Sequence, residues 1–181
     1  MNFVEPIRDK SMVHDIAEYL KFKNERNYIM WMMGVYSGLR ISDILRLKIK
    51  EVKDRNGINI REMKTGKQRT FEINPVLKKA LAEYCEGKDP DDYLIKSRQN
   101  YNRPITRSMA YKILQAAAER FGIESMGTHT MRKTFGFHFY MQYKDVVALQ
   151  KIFNHADQSY TLRYIGIEQQ TINEKIKQFK I

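Results

Sequence analysis

Two short segments in the second half of the sequence carry side chains that could break a phosphodiester bond. His129 stands three residues before Arg132, and His155 stands nine residues before Tyr164. With two cations from the first half of the chain, these side chains make one ordered set: Arg40, Lys64, His129, Arg132, His155 and Tyr164. The set combines cations, proton carriers and a hydroxyl group, which are the groups that direct attack on a phosphodiester requires.

The chemistry of each group fits such an attack. A phosphodiester under attack gathers negative charge on its non-bridging oxygens, and guanidinium groups stabilise that charge well because they stay protonated and present a planar fork of donors. Arg40 and Arg132 could therefore hold a phosphate from two sides. Because a tyrosine ionises only near pH ~10, a nucleophilic Tyr164 needs nearby cations or a base. His129 and His155 could supply that setting.

The departing sugar oxygen needs a proton, and a lysine at the tip of a hairpin can deliver it. Lys64 is the candidate acid, and Lys67 and Arg69 lie close enough in the sequence to compete for this role. If Lys67 took the role, the mechanism would be unchanged. Lys67 and Arg107 are also predicted to contact DNA, although a solvated charged surface explains such residues nearly as well.

The elements that must position these groups are mainly helical. Apolar residues at helical spacing predict helices at 9–24, 27–37, 42–47, 75–87, 106–121, 130–143, 144–154 and 159–164. Between residues 57 and 74 the pattern alternates around Gly66, which predicts a β-hairpin, and a short strand is expected at 93–95. Arg40 then lies at a junction between helices, and Lys64 ends the first hairpin strand. The predicted fold class is mainly α with a small antiparallel β-sheet (α+β).

Composition favours a nucleic acid as the partner. Lysine and arginine number 32 against 21 acidic residues, and the resulting net charge of +11 attracts anions. With 181 residues, 43% of them hydrophobic, the chain suits a single domain, 1–181. Cys85 is the only cysteine and the four histidines are scattered, so neither a disulfide nor a metal site is predicted. No apolar run is long enough to span a bilayer, and a cytoplasmic protein is expected.

Four segments of the sequence carry a specific family resemblance. They are SGLRISDILRL at 37–47, MKTGKQRTFEI at 63–73, THTMRKTFGFHF at 128–139 and IFNHADQSYTLRYIG at 152–166. In order and approximate spacing these segments resemble the tyrosine recombinase or phage integrase family, over about 17–166. One departure is that the family commonly has Leu-Gly-His where this chain has Phe153, Asn154 and His155. The resemblance implies the catalytic, DNA breaking-rejoining fold of that family.

The resemblance also implies a reaction that needs no metal, cofactor or ATP. Tyr164 would attack a DNA phosphate and form a 3′-phosphotyrosyl link, which frees a 5′-hydroxyl that another strand can replace. By the same match Arg40 and Arg132 would stabilise the transition state, and Lys64 would protonate the leaving oxygen. The outcome would be site-specific recombination, as integration, excision or inversion.

The remaining roles implied by the family concern support and assembly. His129 and His155 would assist proton transfer and phosphate binding, and Asp43 would support the site without reacting. Most relatives carry an N-terminal core-binding domain that closes a clamp around DNA, whereas this chain begins almost directly with the catalytic part, as the short fimbrial-switch invertases do. The C-terminal helix at 168–181 presents an apolar stripe that could pack within its own chain or link protomers in a homo-tetramer.

The expected partner is double-stranded DNA that carries specific recombination sites, with accessory DNA-bending proteins as further candidates. A bacterial, phage or mobile-element protein at the nucleoid is expected. Two alternatives stay open on the sequence. The first is a type IB topoisomerase-like enzyme that relaxes DNA by the same chemistry. The second is a DNA-binding accessory module without turnover, although binding alone would not require Tyr164.

Overall fold

The computed structural model describes residues 4–61, 66, 68–99, 101–167, 174 and 176–180. Within these residues the chain forms nine helices and two strands. The helices are α1 (Lys10–Lys23), α2 (Glu25–Ser37), α3 (Ile41–Ile44), α4 (Ile49–Val52), α5 (Pro75–Cys85), α6 (Arg107–Phe121), α7 (Thr128–Tyr143), α8 (Val146–Phe153) and α9 (Gln158–Tyr164). The strands are β1 (Gly57–Arg61) and β2 (Gln68–Glu72). The predicted fold class is therefore confirmed.

Helix α2 is the centre of the larger core. It is apolar on nearly all sides, and Ile29, Met30 and Trp31 are completely buried, as expected for a helix that other helices surround. It packs against α1, α5 and α7. At the crossing with α7, a Cβ atom added to Gly34 would lie 2.5 Å from Cβ of Met131. The glycine thus lets α7 approach closely, and this contact fixes the helix that carries His129 and Arg132.

A second, smaller core joins the last three helices. Its buried members are Phe137, Leu149, Phe153, Ile165 and Ile167. A Cβ atom added to Gly136 of α7 would lie 2.7 Å from both Phe153 and Ile165. The absence of a side chain there lets α8 and the end of α9 pack directly on α7. Residues near 155 and 164 are thereby brought beside the first turns of α7.

The two strands form the predicted antiparallel hairpin, with Gly57 paired to Glu72 and Arg61 paired to Gln68. Ile58, Ile60 and Phe71 point into the core, and the alternate residues are mostly exposed. This alternation is the pattern that identified the hairpin in the sequence. The connection between the strands contains Gly66 with a positive φ of 68°.

Several predicted boundaries were wrong, and local backbone geometry explains one of them. The predicted strand at 93–95 is instead a loop in which Tyr93 forms one isolated bridge with Lys48. The predicted helix at 144–154 begins only at Val146, because Lys144 adopts a left-handed conformation that ends α7. The short helix predicted at 42–47 ends at Ile44, and α4 was not predicted.

The N-terminal segment before α1 packs against α7. The backbone N–H of Ile7 donates to Oγ1 of Thr134 at 2.9 Å, and Nε2 of His138 lies 2.9 Å from the carbonyl oxygen of Ile7. His138 is therefore a hydrogen-bonded helix residue. Among the described helices, none has the length and apolarity that crossing a membrane would require.

Candidate active site

Five of the six side chains singled out in the sequence converge on one cleft of about 320 Å³. Its lining residues are Arg40, His129, Arg132, Asn154, His155, Ala156, Asp157, Tyr160 and Tyr164. They come from the start of α3, the first turns of α7, the turn after α8, and α9. Residues more than 100 positions apart in the sequence therefore share one surface, and the second half of the chain supplies most of it.

Arg132 is the structural centre of this cleft. It is only 3% exposed, and its guanidinium donates to the carbonyl oxygen of Gly38 at 2.6 Å and to that of Phe153 at 2.9 Å. The same group lies 4.2 Å from the centre of the Phe153 ring. Arg132 thus ties the turn before Arg40 to the end of α8, and it presents a fixed positive charge to the cleft.

His129 and Tyr164 are in direct contact, with Nδ1 of His129 3.3 Å from the Tyr164 hydroxyl. Burial lowers the pKa of His129, and the positive charges of Arg107, Arg132, Lys133 and Arg40 lower it further. The imidazole is therefore mostly neutral near pH 7. A neutral imidazole can accept a proton from a phenol that it touches.

Two opposing effects act on the phenol of Tyr164. Burial raises its pKa and is the larger effect, while the charges of Arg132 and Arg40 and a hydrogen bond from Arg132 lower it. The side chain is thus a protonated phenol in the protein without DNA. It needs a base at the moment of attack, and His129 is the group within reach.

Lys133 is a cation near Tyr164 that the sequence analysis missed. It is only 4% exposed, and its ammonium lies 5.1 Å from the centre of the Tyr164 ring. Burial lowers the pKa of this lysine. Its position directly after Arg132 was visible in the sequence, but a lysine in a helix is usually solvated, so the residue type alone gave no signal.

His155 is oriented by a short hydrogen-bond chain. The hydroxyl of Thr161 donates to the backbone carbonyl of Asp157 at 3.0 Å, and Oγ1 of Thr161 lies 3.1 Å from Nδ1 of His155. Since a hydroxyl has one hydrogen, its oxygen acts as the acceptor for Nδ1–H of His155. In the neutral ring this arrangement leaves the lone pair on Nε2. Thr161, fully buried, therefore fixes the tautomer.

Asn154 takes the place at which the family commonly has glycine, and it performs the same backbone task. It has φ 52° and ψ 46°, in the left-handed region. Its N–H donates to the Lys151 carbonyl at 3.1 Å, and that of His155 donates to the Gln150 carbonyl at 3.0 Å. This is the Schellman pattern of helix termination. Asparagine tolerates the left-handed region better than most residues, so the turn before His155 is retained.

This geometry predicts different stabilities for two substitutions at Asn154. Asn154→Gly and Asn154→Ala both remove the amide, but only alanine is strained at a positive φ, by about 1 kcal/mol. We expect the alanine variant to have a free energy of unfolding lower than that of the glycine variant by about this amount. Urea unfolding curves measure the difference. Equal stabilities would contradict the assigned backbone role.

The other predicted site residues have different outcomes. Asp43 is buried, with 4% exposure, one turn after Arg40, and its supporting role stays a prediction. Arg107 is at the start of α6 and lines a neighbouring cleft of about 510 Å³ together with His129. Lys64 and Lys67 lie outside the described residues, so their predicted roles have no structural test.

The family model and the similar proteins all indicate the same family. A family model described as the phage integrase family matches residues 9–171. The probable integrase/recombinase YoeC of Bacillus subtilis (strain 168) is 43% identical over 179 residues, which cover 99% of this chain and 98% of YoeC. A tyrosine recombinase of Pseudothermotoga lettingae is 27% identical over 170 residues, covering 91% of this chain and 58% of that protein.

Solved structures agree on the fold. The crystal structure of XerA recombinase matches with a TM-score of 0.77 at 23% identity, covering 96% of this chain and 65% of that one. The structure of XerH site-specific recombinase bound to palindromic difH substrate, a post-cleavage complex, matches with a TM-score of 0.72 at 19% identity, covering 97% and 53%. The chain thus spans nearly all of YoeC and little more than half of several longer relatives.

Proposed function

This chain belongs to the phage integrase family, and from that premise we propose that it is a site-specific recombinase that cleaves and rejoins DNA through a covalent link to Tyr164. The observation that carries the proposal is the contact between the Tyr164 hydroxyl and Nδ1 of His129 at 3.3 Å. This pair opens into the cleft that Arg40, Arg132 and His155 also line. A nucleophile, a base and two guanidiniums are the groups that the attack on phosphorus uses.

In the first step the Tyr164 oxygen attacks the phosphorus of one DNA strand. A bond forms between the phenol oxygen and phosphorus, and the bond from phosphorus to the 5′ oxygen breaks. His129 accepts the phenolic proton, and Lys64 delivers a proton to the departing oxygen. Arg40 and Arg132 balance the charge that develops on the non-bridging oxygens.

The second step reverses the first with a different strand. A 5′-hydroxyl attacks the phosphotyrosyl phosphorus and gives its proton to Lys64. The bond from phosphorus to the Tyr164 oxygen breaks, and the phenol regains its proton from His129. One ester replaces another in each step, so no external energy source is required. His155, with Nδ1 held by Thr161, lines the cleft and would bind a phosphate oxygen there.

Double-stranded DNA that carries specific recombination sites is the proposed partner. The net charge of +11 suits a polyanion, and the XerH site-specific recombinase of similar fold is bound to its palindromic difH substrate. The proposed homo-tetramer would form through the C-terminal helix at 168–181, most of which lies outside the described residues. Its described apolar side chains, Ile176 and Phe179, are 67% and 72% exposed. Accessory DNA-bending proteins and a place at the nucleoid remain part of the proposal.

The domain assignment is proposed in the same way. The two cores share α7, because its residues Met131 and Phe137 belong to one core each. A single catalytic domain over 1–181 is consistent with this continuity. No observation favours a relaxing topoisomerase or an accessory module without turnover.

Covalent capture tests the proposal directly. A library of nicked duplexes with randomised sequence around the nick, incubated with the protein, should yield a protein–DNA adduct. The short fragment between the cleaved phosphate and the nick carries the 5′-hydroxyl and diffuses away before rejoining. Peptide mapping should locate the nucleotide on Tyr164. A protein that binds the duplexes and forms no adduct would instead support the accessory-module alternative.

The pH dependence of adduct formation follows from the lowered pKa of His129. The second-order rate constant reports groups of the free protein, so it should rise with pH through a pKa below the ordinary histidine value of about 6.5 and then become level. His129→Gln should remove this rise, whereas His14→Gln, on the exposed face of α1, should retain it. A rise centred above the ordinary value, or one that His129→Gln leaves in place, would exclude His129 as the base.

A further inference from the structure

Arg69 of strand β2 makes a long-range contact that the proposed reaction does not yet use. Its guanidinium donates to the carbonyl oxygen of Ile152 at 2.8 Å and to that of Lys151 at 2.5 Å. The same group lies 4.9 Å from the centre of the Phe71 ring, which belongs to the same strand. The hairpin is thus joined to the last turn of α8, across more than 80 residues of sequence.

The last turn of a helix leaves carbonyl oxygens without partners inside the helix. In α8 two guanidiniums supply donors: Arg69 binds the carbonyl of Ile152 and adds a second donor to that of Lys151, and Arg132 binds the carbonyl of Phe153. Positive charge is also favourable at this end of a helix. The turn that leads directly into His155 is therefore held from two sides.

We infer that Arg69 is a positioning residue of the cleavage reaction, which holds the turn after α8 so that His155 is aimed at the cleft. The inference rests on the proposed function. Arg69 is not among the residues that line the reaction cleft; it lines the adjacent cleft between the hairpin and α3. It acts through His155.

The first test measures the anchor without DNA. Amide hydrogen exchange of the free protein should show that Arg69→Gln accelerates exchange of the His155 N–H, which is bonded to Gln150, by about tenfold, because the turn opens more often. Arg55→Gln removes an equal charge from an exposed arginine before β1 and should leave this exchange rate unchanged. Equal rates in the wild type and in Arg69→Gln would overturn the inference.

The second test measures the coupling to His155. The substrate is a nicked duplex that covalent capture has recovered, and the protein is saturating. Under these conditions Arg69→Gln should lower the first-order rate of adduct formation by about 10- to 100-fold. In an His155→Asn background the same substitution should cost less than about threefold, because residues that act together are non-additive. Arg69→Lys, which keeps the charge and some donor capacity, should recover part of the rate.

Two results would contradict this coupling. One is that the effects of Arg69→Gln and His155→Asn on the adduct rate are additive. The other is that saturating protein restores the rate of Arg69→Gln, because that variant would then only bind DNA more weakly.

A duplex with sulfur in place of the scissile 5′ oxygen gives a further comparison, because a thiolate leaves without needing a proton. This duplex should restore the rate of adduct formation of Lys64→Ala but not that of Arg69→Gln. If it restored both rates, the role of Arg69 through His155 would be overturned. Wild-type protein that forms no adduct would refute the proposed function itself.

Discussion

Replacing Tyr164 with phenylalanine is expected to abolish the covalent protein–DNA adduct, by a factor on the order of 10⁴ or more, because the attacking oxygen is lost. The fold should survive the change. The ring packs edge-on against His155 and Phe153, at centre-to-centre distances of 5.1 and 5.6 Å, and Lys133 lies over it. Phenylalanine keeps these contacts and loses the hydrogen-bonding hydroxyl. Gel analysis of the denatured adduct measures the result.

Tyr160 provides a stringent control, because it lies in the same cleft one helical turn before Tyr164. Its ring stacks on that of Tyr164 at 6.3 Å and meets His155 edge-on at 4.7 Å. Tyr160→Phe should form adduct at a rate within about threefold of the wild type, because its oxygen is not the proposed nucleophile. If Tyr160→Phe lost the adduct and Tyr164→Phe retained it, the nucleophile would have been assigned to the wrong tyrosine.

Local sequence patterns located most of the elements that carry the site. The apolar spacing of α1 and α6 and the alternation of the hairpin depend on neighbours within a few residues. Such features can be predicted from a single sequence. The start of α7 was placed two residues late, because Gly127 and Thr130 form its N-terminal cap without a serine or aspartate at the cap position.

Long-range partners could not be predicted in the same way. The residue types of Arg69 and Lys133 gave no indication that one would bind the end of α8 and the other would be buried beside Tyr164. Such contacts depend on how helices pack, and packing is set by many residues at once. The six reactive side chains were found in the sequence only because their order and spacing matched a family. The cleft that five of them share could be located only from the fold.

Arg132→Lys is expected to lower both stability and activity strongly. Lysine keeps a positive charge but has a single ammonium, which cannot reach both the Gly38 and the Phe153 carbonyls with the geometry of a guanidinium. A buried carbonyl left without a partner costs about 1–3 kcal/mol. The free energy of unfolding should fall by that amount. The adduct rate should fall by about 10²- to 10³-fold, as for loss of one donor to a developing oxyanion.

Arg40→Lys separates the two effects. Arg40 is partly exposed and begins α3 without capping it through its side chain, whereas Arg132 is enclosed and holds two turns of the backbone. We expect Arg40→Lys to reduce the adduct rate by a similar factor while the urea unfolding midpoint changes little. If Arg132→Lys unfolded at the wild-type midpoint, the two carbonyl contacts would not hold the site together. The cleft would then have to be shaped by the packing of α7 against α8 and α9 alone.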